Sequence, residues 1–275
     1  MRAERWKNFR RSLGGPLPSY GSVFAIAVGV GVAAVNRDLL GGMTAALGIL
    51  LLVMLVIWRD ASNEAEAELF TALAPRLGLS YTVTGALPPI TPLLSAGNRR
   101  AFTHVMEGPI FGALEGPRCT LAHYVFKRVD DEGREGQAWP FTVCGMEVPG
   151  ALPVFHGVYL RPRGGVIHDW LDRAPRPAEV ELESTDFTER YELSVASDQD
   201  RLVLHGLFSP SLLAFLAEHP LRPGFECKAG ELVAFLPGHE FDGDRLTLFH
   251  DFTRQLARRI ATVVDDRAAA AIPAG

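Results

Sequence analysis

Cysteine is scarce in this chain of 275 residues, which holds only Cys119, Cys144 and Cys227. An odd number with no CxxC and no ligand-like spacing is not the pattern of a disulfide framework or a zinc site. Isolated thiols fit a reducing compartment, where they serve as small buried apolar side chains. Short catalytic signatures are also missing. There is no GxxxxGK[ST], no GxGxxG after a strand, no GxSxG, no HExxH and no EF-hand loop. The classes that those motifs announce are set aside, while enzymes without a short signature stay open. No internal repeat occurs, and the Ala-rich tail is the only low-complexity stretch.

Positive charge is lacking where most of the chain lies. Residues 1–60 hold seven Lys and Arg against three Asp and Glu, a net of +4, which leaves 20 against 29, a net of −9, for residues 61–275. An acidic body of that size is not attracted over its whole surface to nucleic acid or to anionic lipid, so no nucleic-acid partner is expected.

One apolar run extends from about Tyr20 to Trp58, interrupted by Asn36-Arg37-Asp38. Leu39–Trp58 is a stretch of twenty residues without charge, and at 1.5 Å per residue it matches the roughly 30 Å of a hydrocarbon core. Residues 20–35 are shorter and span with slight bilayer thinning. A single helix would bury Arg37 and Asp38 near the bilayer centre at about 2.5–3.5 kcal/mol each. A turn at 36–38 removes that cost, so residues 20–58 read as a transmembrane helical hairpin with the lipid bilayer as its partner. Arg2, Arg5, Lys7, Arg10 and Arg11 precede it and Arg59 follows it, against Arg37 alone at the tip. That balance places both termini in the cytoplasm, with residues 1–19 a basic cytoplasmic N-terminus. A rival reading takes residues 1–34 as a signal peptide and leaves Leu39–Trp58 as a stop-transfer helix, with the same location for the C-terminal part.

The remainder reads as follows. Residues 59–83 form an amphipathic connecting helix, with Leu69, Phe70, Leu73 and Leu77 on one side. Residues 84–98, rich in Pro and Gly, are a connector. Residues 99–266 form a cytoplasmic α+β domain. Four β-rich runs, AFTHVMEG, CTLAHYVFKR, WPFTVCGMEV and VFHGVYLR, imply an antiparallel meander. EVELES and RYELSV are further strands, Ser209-Pro210 opens a short helix to about His219, and FECKAGELVAFLP is a hairpin around Ala229-Gly230. From Asp244 to Asp266, Phe249, Phe252, Leu256, Ile260 and Val263 recur at helical spacing. Residues 267–275 are a disordered tail. The fold class expected is α+β: an N-terminal transmembrane helical hairpin, then an antiparallel sheet or open barrel packed by a long C-terminal helix.

Chemistry is harder to locate. His104, His123 and His156 fall on strands and could converge with Cys119 and Cys144, but no local spacing demands a ligand set. RPRGG (161–165) offers two guanidinium groups beside a turn, an anion contact or a plain solvated hairpin turn. Arg254, Arg258 and Arg259 form the water-facing side of the last helix or a lipid-headgroup patch. Asp130, Asp131, Glu132 and Glu135 make a loop kept soluble by charge. No catalytic, cofactor-binding or metal-ligating residue is assigned and no cofactor is expected.

The stretch VELESTDFTERYELSVASDQDRLVLHGLFSPSLLAFL, followed by GELVAFLPG and a closing helix, resembles an uncharacterised family of bacterial membrane proteins that carry a domain of unknown function. LAPRLGLSY, NRRAFTHVMEGPIFG, LAHYVFKR and FTVCGMEVP are similar to it in order and spacing, over about residues 65–265. The resemblance implies one or two membrane segments before the domain and a bacterial inner membrane location, and it implies no activity. The expectation is therefore a membrane-tethered module that binds a protein partner or forms a homo-oligomer. A small enzyme or ligand sensor and a lipid-headgroup module are the alternatives, and the balance leans away from an enzyme.

Overall fold

In the computed structural model, residues 39–112, 116–164, 178–180, 182 and 184–270 are described. The chain divides into two units, Met1–Ala72 and Leu73–Gly275. The first arm of the expected hairpin and its tip at 36–38 lie outside the described residues. Helix α1, Leu39–Arg76, starts where the second apolar arm was expected and continues without a break through the connecting helix. Its large apolar side chains Leu47, Leu51, Leu52, Met54, Leu55, Val56 and Trp58 are exposed, Leu51 and Leu55 at 63% and 67%. Among the described residues no helix is long and apolar enough to cross a membrane, and seven side chains between 39 and 58 lie outside the description. The membrane assignment therefore continues to rest on the sequence.

The helix expected to reach residue 83 stops at Arg76. Gly78 adopts φ +73°, the amide of Leu79 donates to Ala74 O at 2.8 Å and that of Gly78 to Pro75 O at 3.1 Å. This is a Schellman C-cap, which satisfies the last carbonyls and turns the chain away. SYTVT, with Tyr81 followed by the β-branched Thr82, Val83 and Thr84, then forms strand β1, Ser80–Thr84.

Among the described residues of the second unit, the strands make one nine-stranded sheet, every neighbouring pair antiparallel. After β1 come β2 (Arg99–Pro109), β3 (Arg118–Val129) and β4 (Glu135–Glu147), a meander as the β-rich runs imply. Strand β5, Val158–Pro162, does not continue that meander. The hairpin of β8 (Gly224–Lys228) and β9 (Glu231–Pro237) inserts between β4 and β5, giving the order β1-β2-β3-β4-β9-β8-β5-β7-β6. Strands β6 (Ala178–Glu179) and β7 (Tyr191–Val195) complete it. Among the described strands the sheet is open, with β1 and β6 at its ends. Ala229 (φ +51°) and Gly230 (φ +85°) form the left-handed turn that the β8–β9 hairpin needs.

Partners in register share a face, so Cys119, Leu121 and His123 of β3 lie on one side with Cys144 and Thr142 of β4. The other side carries Tyr124, Phe126, Phe141, Val143 and Phe235, packed under Leu93 and Leu94 of the short helix α2, Pro92–Ser95. Gly97 permits that cover: at φ +67°, a Cβ there would lie 2.5 Å from Lys127 O.

Among the described residues three further helices precede the last. α3 (Thr185–Arg190) and α4 (Arg201–Leu207) occupy segments where no helix was expected, and α5 (Pro210–Glu218) matches the expected short helix. The closing helix α6 runs Gly243–Ala270, four residues past its expected end, so residues 267–270 are helical and not a disordered tail. Its buried stripe is Phe249, Phe252, Leu256, Ile260 and Val264. Val263 is only half-buried and faces elsewhere.

Candidate functional site

Val263 belongs to a groove of about 460 Å³ between α4 and the C-terminal half of α6. Helix α4 begins at Asp200, whose Oδ1 accepts from the amide of Leu202 at 2.8 Å in a regular N-cap. The second carboxylate oxygen accepts from Arg267 Nη2 of α6 at 2.7 Å. One side chain thus starts α4 and ties it to α6. Val203, Leu204 and Leu207 are buried and hold α4 down, whereas Leu202 stands 72% exposed at the rim. Gly206 faces Val263, and a Cβ on it would come no closer than 3.8 Å. The floor is therefore apolar and the rim polar, the usual make-up of a binding groove.

The arginines expected to form the water-facing side of α6, Arg254, Arg258 and Arg259, are engaged. Arg254 pairs with Asp251 at 2.9 Å, Arg258 lies 5.3 Å over the Phe111 ring, and Arg259 lies 5.9 Å over Phe215 and donates to Ser211 Oγ at 3.0 Å. They do not stand as a free headgroup patch. Arg161 and Arg163 of RPRGG are likewise structural. Arg163 donates to Tyr191 O at 3.0 Å and pairs with Glu179 at 3.2 Å. Arg161 lies 3.6 Å from the fully buried Glu226, which accepts from the amide of Leu93 at 2.8 Å. Burial pushes the Glu226 carboxyl up, against the pull of Arg161, and pushes the Arg161 guanidinium down. The pair, wholly buried at Glu226 and nearly so at Arg161, pins α2 to the sheet through the Leu93 amide.

The candidate histidines and cysteines sort into two clusters. His104 sits at φ +51° in a β-bulge of β2, with Nδ1 3.0 Å from the Tyr81 hydroxyl. His123 stacks on His239 at 4.4 Å and meets His104 edge-on at 5.6 Å. Its Nε2 is 2.8 Å from Glu240 O, and because a carbonyl only accepts, that nitrogen carries the proton. Burial, with His239 beside it, lowers the His123 pKa to about 3, so the imidazole is neutral at physiological pH. His156 is not part of this group; it pairs with Asp198 at 2.9 Å in an exposed position.

Cys119 and Cys144 do meet, and sequence spacing did not show that His250 of α6 would join them, with Nε2 3.9 Å from Cys119 Sγ. The Cys144 thiol donates to Cys119, which lowers the Cys119 thiol to about 6 and raises that of Cys144. Leu121, not Cys119, is the register partner of Cys144. A diagonal pair across two strands is set too far apart at Cβ for an unstrained disulfide. Cys227 is buried apart from them, its thiol pushed up to about 12. Among the described residues no group of three or more His, Cys, Asp or Glu side chains could hold a metal ion. Cys119, Cys144, His123 and His250 are buried, His104 and His239 half-buried, and the groove between α4 and α6 is open to solvent.

No family model matches the chain, and no curated protein matches it. Among solved structures, the chain is similar to the crystal structure of the mycobacterial trehalose monomycolate transport factor A, TtfA. The identity is 11% and the TM-score 0.43, over 72% of this chain and 94% of that one. A likeness so distant says nothing about what this chain binds.

Proposed function

We propose that the protein is a non-enzymatic, membrane-tethered module, held in the bacterial inner membrane by the apolar stretch within residues 20–58. Its sheet-and-helix domain lies on the cytoplasmic side and binds a protein through the α4–α6 groove. The observation that carries the reading is the row of exposed apolar side chains on α1: Leu47, Leu51, Leu52, Leu55 and Val56. Leaving each in water forgoes about 1.5–3 kcal/mol relative to burial, and a contiguous patch of this kind calls for a cover. Lipid is the cover that also agrees with the twenty uncharged residues 39–58 and the basic residues around them.

The test is alkaline carbonate extraction of membranes from bacteria expressing the full chain. The protein should stay with the lipid pellet, and Leu51→Lys with Leu55→Lys should release it. Release of the unaltered chain would end the anchor reading.

A further inference from the structure

Two opposite charges on the groove side of α6 suggest what the groove takes. Arg259 and Asp266 both line it and stand seven residues apart, two turns, which places them on one side of the helix about 10 Å apart. They are too far from each other to pair within the chain. Arg259 contacts the Ser211 hydroxyl and the Phe215 ring, and Asp266 makes no ion pair among the described residues. Midway between them lie Thr262 and Val263, and the facing wall offers the exposed Leu202 and Gly206, which has no side chain.

We propose that this face pairs with the same face of a second copy of the chain. The two α6 helices run antiparallel about a two-fold axis passing near Thr262 and Val263. Arg259 of each copy then lies opposite the partner's Asp266. A two-fold interface must be complementary to itself, so each charge has to find its opposite at the position the symmetry generates. Arg267 also lines the groove but is neutralised by Asp200 of its own chain, so the charges left for a partner are one cation and one anion set evenly about Thr262 and Val263, which meets that demand. A patch of one sign does not. Gly206 lets the facing helices approach, and Leu202 supplies apolar surface at the edge of the contact.

The contact covers two helix faces and belongs among small, weak interfaces. The acidic domains, at −9 over residues 61–275, also repel one another, although physiological salt screens charges beyond about 8 Å. The pairing therefore rests on the proposed membrane anchor, which holds copies in two dimensions and raises their effective concentration.

The experiment uses the full chain in bacterial membranes, with Thr262→Cys and a bismaleimide of about 10 Å reach, comparable to the facing of two helices near contact. The three native thiols are buried, and the chain without the added cysteine is the control. A crosslinked species of twice the chain mass is expected. Arg259→Glu and Asp266→Arg should each lower its yield about fivefold, the size of a lost and reversed rim charge pair. The two together should restore it, since the charges are exchanged in both copies. Gly206→Leu should abolish the species and Gly206→Ala should not.

Absence of the dimer, failure of the double exchange to restore it, or a crosslink to another protein in its place would overturn the pairing. Carbonate extraction of the same samples keeps the two readings apart. If a monomer stays in the membrane, the pairing falls and the anchor stands. If the chain is released, the anchor falls, and the same variants are compared by sedimentation at high concentration. There, a dimer that follows the exchange pattern sustains the pairing and a monomer overturns it.

Discussion

Asp200 and Arg267, 67 positions apart in the chain, meet at 2.7 Å, and the same carboxylate caps α4 through the amide of Leu202. Two functions on one side chain can be separated. Asp200→Asn keeps a capping oxygen and loses the ion pair; Asp200→Ala loses both. The pair is partly exposed and contributes well under 1 kcal/mol, whereas losing the cap costs about 1 kcal/mol. Urea unfolding should place Asp200→Asn close to the unaltered protein and Asp200→Ala about 1 kcal/mol below it.

His123 makes stability depend on pH. Its folded pKa, about 3, lies below the ordinary value of 6.5, so the unfolded chain takes up a proton that the folded chain refuses. Stability is therefore full above pH 6.5 and falls as the pH drops toward 3. The loss attributable to this residue between pH 7 and pH 5 is about 2 kcal/mol at most. His123→Gln should be less stable at pH 7, yet lose less on acidification, and unfolding midpoints at the two pH values measure the difference directly.

Glu226 and Arg161 share a buried site in which removing one partner strands the other. Glu226→Ala also leaves the amide of Leu93 without its acceptor. A destabilisation of about 3–5 kcal/mol is expected, with α2 released from the sheet. Replacing both, as Arg161→Met with Glu226→Leu, should recover much of it. Hydrogen exchange at the amides of residues 93–95 would report whether α2 is the element that loosens.

Thiol access should follow burial and not acidity. Cys119, Cys144 and Cys227 are all buried, so iodoacetamide should leave the folded protein unmodified although the Cys119 thiol sits near 6. All three should react at once in strong denaturant. Fast labelling of Cys119 in the folded state, read by peptide mass spectrometry, would show that the sheet opens over α6.

Much of the architecture follows from local pattern. The meander β2–β4 was legible because AFTHVMEG, LAHYVF and FTVCGM each hold several β-branched and aromatic residues between clear breaks. The β8–β9 hairpin was legible from Ala229-Gly230, and α6 from its 3- and 4-residue apolar spacing. α4 was missed because DRLVLHG is a short helix that stands by its Asp200 cap and its contact with α6. The stop of α1 was missed because a Schellman cap needs only one glycine, Gly78, and leaves little trace in a periodic pattern.

The groove was not legible at all. Its one sequence signal is that Val263 falls beside the stripe 249-252-256-260-264, an apolar residue left over on a polar flank. Neither the meeting of Cys119, Cys144 and His250 nor that of His104, His123 and His239 has any local spacing, since side chains on separate strands and a distant helix converge only through register.

What the sequence determined by itself is composition and period: an apolar twenty-residue stretch, an acidic body, three cysteines without motif spacing, and the strands and helices with the clearest local pattern, β2–β4, the β8–β9 hairpin and α6. Those properties depend on neighbours a few positions away, where hydrophobic spacing and backbone preference act directly. Only the tertiary structure decided that β8 and β9 enter between β4 and β5, that Arg161 is buried against Glu226, and that α4 and α6 leave a groove with Arg259 and Asp266 at its rim. Each of those depends on long-range packing, in which apolar faces choose partners across the chain and carry polar side chains into company that no local pattern encodes.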